Sequence, residues 1–317
     1  MRLTLADLTD RLTLKSSNNG SPGSSMMDRA ICLSVRLRRF GNSRKLSSEA
    51  VQVDADKRLI GVRKRLLEGD ELRAITRMDS SILGYVYSRS LPSVFRDGIY
   101  LVPIELVQEM DEKLSEMARE REGLVEAFCS VYPALIEDAA SRLRSVFDPR
   151  DYPSVEAIRE TFGFEWLYVD LGVPTGLKSV SRSLWAKESE KQKKLWDEAM
   201  TEVRQVLRAQ MAGLVEHMTD RLSGKNEDGK PRIFRDSLVR NLEDFLATFD
   251  ARNITDDADL KALVERARQV MQGVDPALLR EAPDVRQVVA QGFERIQQAM
   301  DGMMVERPSR AIRFEDE

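Results

Sequence analysis

Apolar residues recur every three to four positions over two long stretches of the chain, 103–147 and 183–222. In the first, Val107, Met110, Leu114, Met117, Leu124, Phe128, Val131 and Leu135 make a run of about four heptads. Pro103 stands in the early-helix position that proline favours. Arg121 interrupts the seam, and Pro133 predicts a kink or a junction with a following helix, in which Ile136, Ala139, Leu143 and Val146 continue the stripe. In the second stretch the apolar positions are Trp196, Met200, Val203, Leu207, Met211, Leu214, Met218 and Leu222. Many of them lie eleven apart, a period that favours a nearly straight helix over a heptad supercoil. A segment rich in Gly, Pro and aromatic residues joins the two. The pattern predicts a long antiparallel helical hairpin, and the mismatched periods predict that further elements pack against it.

The remaining pattern adds a small mixed head and a C-terminal bundle. Ile31, Leu33, Val35 and Leu37 alternate with Cys32, Ser34 and Arg36, which reads as a half-buried strand. Residues 40–46 read as a turn, and Val51–Val53 as a second short extended piece. Asp54 or Asp56 can cap a helix running to about Leu67, and Asp70 opens another to about Tyr87. Residues 98–102 and 162–171 read as strands that pair with each other, with a short helix at 154–161 before the second. Three helices are expected at 233–249, 256–272 and 276–304, and residues 311–314 are a candidate edge strand. The expected class is mainly α. Its divisions are an N-terminal extension (1–27), a basic α/β head (28–103), the hairpin (104–223), C-terminal helices (232–306) and a tail (307–317). Residues 15–25 are linker-like, and Met26-Met27 offers an alternative start.

Charge sharpens this picture. The whole chain of 317 residues has net charge −4, but residues 1–100 hold 18 Lys/Arg against 11 Asp/Glu. The strongest cluster is Arg36, Arg38, Arg39, Arg44, Lys45, Arg63, Lys64 and Arg65, a candidate binding surface for phosphate backbones or an acidic protein. Only Phe40 lies within it, so base stacking has little support.

Candidate chemistry is sparse. His217 is the one histidine and sits inside a long helix, without partners at metal-ligand spacing. Cys32 and Cys129 stand among apolar neighbours and are expected to be buried free thiols. Glycine-rich phosphate loops, nucleophile elbows and calcium-loop spacing are missing, although Asn226-Glu227-Asp228-Gly229 mimics a fragment of the last. The expectation is therefore no catalytic residue, no cofactor and no metal. No apolar run approaches the roughly 20 residues that span a bilayer, so a cytoplasmic protein without membrane contact is expected.

Four segments carry a resemblance: Leu33 to Leu46, ending Gly-Asn-Ser-Arg-Lys-Leu; Phe95 to Pro103; Lys230 to Leu238; and Arg307 to Phe314. In these the chain resembles a family encoded on bacteriophages and integrative elements. The resemblance implies neighbours of the MoxR-type AAA+ ATPase and cobaltochelatase-like von Willebrand A-domain kinds, and no active-site residues. The expected function is a non-enzymatic adaptor or scaffold that binds such an ATPase or assembles with itself. The alternative is a DNA- or RNA-associated accessory protein using the basic head.

Overall fold

The computed structural model describes residues 29–47, 61–91, 98–170, 172–223 and 236–303. The expected N-terminal extension, the extended piece at 51–53, the loop at 224–231, the edge strand at 311–314 and the tail lie outside these residues.

Strand β1 (Ala30–Arg38) is the middle of a three-stranded antiparallel sheet, ordered β4–β1–β5, with β4 at Ile99–Pro103 and β5 at Gly163–Val169. Leu33 lies opposite Tyr100 on one side and Tyr168 on the other. Alternation then assigns the two faces. Leu33, Val35 and Leu37 share one face with Val102, Phe164, Trp166 and Tyr168. That face packs on α1 (Asp70–Arg89) and the first half of α2 (Ile104–Leu143), through Ile82, Val86, Met110 and Leu114. Asp111 of α2 accepts hydrogen bonds from Trp166 Nε1 at 2.9 Å and from the Tyr168 hydroxyl at 3.2 Å, which fixes β5 on that helix. Ala30, Cys32 and Leu101 point the other way, into a core shared with α5 (Arg182–Ser223). Burial there pushes the Cys32 thiol up to about 11, and Cys129 is also buried and free.

Two helical layers therefore sandwich the sheet, and the chain is mainly α, with both long helices present. Each apolar stripe is closed chiefly by its own neighbours. α2 packs on α1, while α5 packs on α9 (Pro283–Asp301) and α6 (Asp236–Arg252). Helix α7 (Ala258–Met271) and the short α8 (Pro276–Glu281) complete that second core, around Val239, Leu242, Val264 and Phe293. The link between the long helices carries two 3-10 turns (Arg144–Val146 and Pro149–Asp151), α3 (Val155–Thr161), β5 and α4 (Gly176–Val180).

Several expectations are corrected. Pro133 neither breaks nor divides α2, which runs on as one 40-residue helix; Phe128, Tyr132 and Ala139, buried on either side of it, hold the turns in place. Residues 162–171 pair with β1 instead of with 98–102, because the nine-residue β1 is apolar on both faces over Ala30–Leu33 and takes the central place. The turn read at 40–46 contains β2 (Ser43–Leu46), and the helix read to Leu67 instead carries β3 (Val62–Arg65). The two form an antiparallel ribbon, Arg44 opposite Lys64 and Lys45 opposite Arg63. Here period-2 alternation outweighs the weak helical pattern. The last expected helix is split at Pro283, which has no N–H to donate and disfavours a helical residue before it.

Arg121 with Asp79, Asp257 and Arg252 are buried where the helices meet. Arg121, which stands in the α2 seam, donates to Asp79 of α1 at 2.6 Å and to the Arg38 carbonyl at 3.0 Å, so one guanidinium ties both helices to the end of β1. Arg39 Nε lies 3.3 Å from the other Asp79 oxygen without hydrogen-bond alignment. Asp257 caps α7, accepting from the Leu260 amide, and is forked by Arg208 of α5 at 2.6 and 3.0 Å. The neighbouring Asp256 adopts a left-handed φ of 51° and holds Arg29 at 2.7 Å, which fastens the start of β1 to the α6–α7 loop. Arg252 ends α6 wholly buried. It donates to Gln210 at 2.5 Å and lies over the Phe245 ring at 5.6 Å, but among the described residues no carboxylate pairs with it. Burial, and then the charge of Arg89, push its pKa down to about 10.

Opposite stability effects are expected at the two buried arginines. Arg121→Met leaves the buried Asp79 carboxylate with only the half-exposed Arg39 beside it and costs about 3 kcal/mol, most of which the double variant Asp79→Leu/Arg121→Met recovers. Arg252→Met removes a charge that has no counter-ion, and raises stability by about 1 kcal/mol. Urea denaturation measures both. At Asp257 burial raises the pKa, but the Arg208 hydrogen bonds and the Leu260 amide outweigh it and hold the carboxyl below its ordinary range. A depressed folded-state pKa contributes stability above the unfolded value of about 3.9, and that contribution is lost as pH falls through the folded value. Asp257→Asn is accordingly expected to lower stability at neutral pH and to shrink the loss seen on acidification, read as melting temperature against pH.

Candidate binding surface

The eight candidate residues separate according to the face on which the strand places them. On the ribbon, Arg44 and Lys64 point inward. Lys64 is buried, donates to the Val146 carbonyl at 2.6 Å and pairs with Asp151 at 2.7 Å. Arg44 Nε is 3.6 Å from the same carboxylate, and its guanidinium lies 5.8 Å from the Phe40 ring. Both are tethers that hold the ribbon against the Phe128–Tyr152 core. Asn42 adds a further clamp, accepting from the Leu67 amide at 2.8 Å and donating to its carbonyl at 2.7 Å.

Lys45, Arg63 and Arg65 occupy the outward face. Arg65 pairs with Glu68 at 3.0 Å, and Glu68 also binds Arg142 at 2.6 Å. Arg142 and Arg65 hold that exposed carboxyl below its usual range. Arg63 donates to the Ser43 hydroxyl at 3.0 Å; among the described residues neither it nor Lys45, directly across from it, has a carboxylate partner. Like charges placed directly opposite on a ribbon destabilise it slightly.

The rest of the cluster lies around the end of β1. Arg39 is taken up by Asp79, and Arg38 by Glu165 at 3.1 Å. The Arg38 guanidinium crosses Gly163, where an added Cβ would stand 2.7 Å from it, so glycine leaves the room this contact needs. Arg36 is exposed, across from Glu165 in register, and is in no ion pair among the described residues. Among the described residues, Arg36, Lys45 and Arg63 are thus the members without a carboxylate partner, and the other five are paired within the fold.

A second surface escaped the sequence reading. From Arg182 to Leu195, helix α5 has no buried residue; its packed stripe begins at Trp196. With α4 it forms an arm, closed on itself by Lys178 over the Trp185 ring at 5.1 Å and by the Leu184 amide donating to the Ser181 hydroxyl at 3.2 Å. Val180 is 81 % exposed, Leu184 43 % and Leu195 41 %. Leu184, Lys187, Lys191, Lys194 and Leu195 share one helix face, with Glu188 among them paired to Lys191. The signal was present: two leucines eleven apart, with lysines between them. It was passed over because the apolar stripe continues on a different face.

His217 is half-buried on α5, and among the described residues no group of three or more potential ligands is placed to hold a metal. No described helix is long and apolar enough to cross a membrane. No curated protein and no solved structure matches the chain. A family model described as "Protein of unknown function (DUF3150)" matches residues 27–225. Because that match runs over more than half of the length, from just before β1 to just past α5, the chain belongs to the DUF3150 family.

Proposed function

We propose that this protein is a non-enzymatic helical scaffold, and that its α4–α5 arm holds another protein. The supporting observation is the arm itself: 14 residues of α5, about 20 Å of helix, without one buried side chain, followed by a stripe buried to the helix end. Only one side of this segment, at Trp185, Glu188, Ser189 and Gln192, is even half-buried, and a helix so thinly covered gains little from its own packing. Exposed leucines set among lysines suit a protein surface that offers apolar contact ringed by carboxylates. A MoxR-type AAA+ ATPase is the partner class to co-express first. Binding to nucleic acid through Arg36, Lys45 and Arg63 stands second. Lys45 and Arg63, in no ion pair among the described residues, favour it, but three phosphate contacts give only shallow salt dependence.

Leu184→Glu/Leu195→Glu should leave the melting temperature within a degree or two, because both side chains face solvent. The same variant should lose the partner retained by the wild-type protein in an affinity pull-down from its host. A wild-type protein that stays monomeric and retains nothing, with the ATPase co-expressed, would remove the scaffold reading. Loss of low-salt DNA or RNA binding on Lys45→Glu/Arg63→Glu would promote the second reading.

A further inference from the structure

Helix α2 carries a feature that complements the arm. Glu105, Glu109, Glu112, Glu116 and Glu120 are all exposed and fall on one side of the helix, opposite the buried Met110, Leu114 and Met117. The row is about 22 Å long, against about 16 Å between Leu184 and Leu195 on the arm. Glu109 pairs with Arg89 and Glu116 with Lys113; among the described residues Glu105, Glu112 and Glu120 are in no ion pair, although Glu105 feels the charge of Arg29 and Glu112 accepts from Gln108 at 3.0 Å. Glu105/Glu109, Glu112/Glu116 and Glu116/Glu120 are like charges at i,i+4 spacing, which destabilises an isolated helix. On the arm, Lys191 is held by Glu188, but Lys187 and Lys194 are in no ion pair among the described residues. The fold thus keeps a basic row and an acidic row of similar length and neutralises neither fully within the chain.

We infer that the arm's occupant is a second copy of this chain, with the Leu184–Leu195 face of one copy lying along the Glu105–Glu120 row of the other. This rests on the scaffold reading and names the partner of the same arm. Charge complementarity supplies orientation and encounter, and Leu184 and Leu195 supply apolar contact on either side of the lysines. Arm and row are different surfaces, so the contact is heterologous. Two copies close by reciprocal exchange of arms; otherwise the contact propagates into a chain of copies.

Sedimentation velocity on the full chain, from low salt (about 0.01 M) to high salt (about 1 M), reads the association, because the screening length falls from about 30 Å to about 3 Å over that range. The expected result is concentration-dependent association at low salt that is lost at high salt. Lys187→Glu/Lys191→Glu/Lys194→Glu and, separately, Glu112→Lys/Glu116→Lys/Glu120→Lys are each expected to weaken it at least about tenfold. An equimolar mixture of the two variants should associate again, since each arm then meets a row of opposite sign. Unchanged melting temperatures keep misfolding out of the comparison. A wild-type chain that is monomeric at low salt, or a mixture that fails to associate when each variant is folded, overturns the proposal. If the wild type is monomeric yet a different purified protein binds through Leu184 and Leu195, the self-contact falls while the scaffold reading stands.

Discussion

The short strand β1 must be covered on both faces, and the rest of the architecture depends on that constraint. At its start, Ala30 and Cys32 face one way and Leu33 the other, and all three are buried. A three-stranded sheet cannot close on itself, so both faces need helices. One layer, α1 with the first half of α2, closes over Leu33. The other, α5 with the helices that follow it, closes over Cys32. Two ionic fasteners lock the strand between them: Arg29 binds Asp256 at the beginning, and Arg121 binds the Arg38 carbonyl at the end. Moving β1 by one residue would put Arg36 and Arg38 into the Leu33 face, so the strand's register and the assignment of helices to faces are a single choice.

This central position explains how the two long helices relate. Both stripes were legible as sequence, and nearly every apolar position named in them is buried or half-buried. Their partners were not legible, because periodicity shows that a face is buried but not what buries it. Two stripes of similar length, adjacent in the chain, invite mutual pairing, yet α1 lies nearer to α2 in sequence and supplies Ile75, Met78, Ile82 and Val86 at matching spacing. The ribbon was harder still. Val62-Arg63-Lys64-Arg65 contains one apolar residue, so alternation is visible only once Lys64 is known to be buried, and that burial depends on Asp151, far along the chain. Arg121 looked like a flaw in a heptad seam. Its meaning required Asp79, 42 residues earlier on another helix.

The family match ends at residue 225, just past α5, and the packing shows what that region lacks. Val203, Leu207, Met211, Leu214 and Met218 of α5 are buried, and their cover comes from α6, α7 and α9, all beyond the matched residues. Arg208, forked to Asp257, and Arg286, donating to the Arg221 and Leu222 carbonyls, cross the same boundary. In this chain the matched region therefore does not hold a complete core by itself. The boundary in sequence lies inside one physical unit, and the helices after it are as structural for α5 as α1 is for α2.

Basic side chains take three roles in this fold, and geometry alone separates them. Arg121 is buried between two helices and the end of a strand, where it organises the core. Lys64 and Arg44 turn inward and tether the ribbon through one shared carboxylate, Asp151. Lys187 and Lys194 remain in solvent on a helix segment with no fully buried residue. In sequence these are all charge runs of comparable density, and the N-terminal run looked strongest because it is densest. Density misleads because a basic residue already held by a carboxylate has little left to offer a partner. The surface to weigh is the one whose charges the fold leaves uncompensated on a segment it does not need for its own core. By that measure the arm outranks the ribbon: Arg44, Lys64 and Arg65 of the ribbon are held by carboxylates, whereas among the described residues Lys187 and Lys194 of the arm are in no ion pair.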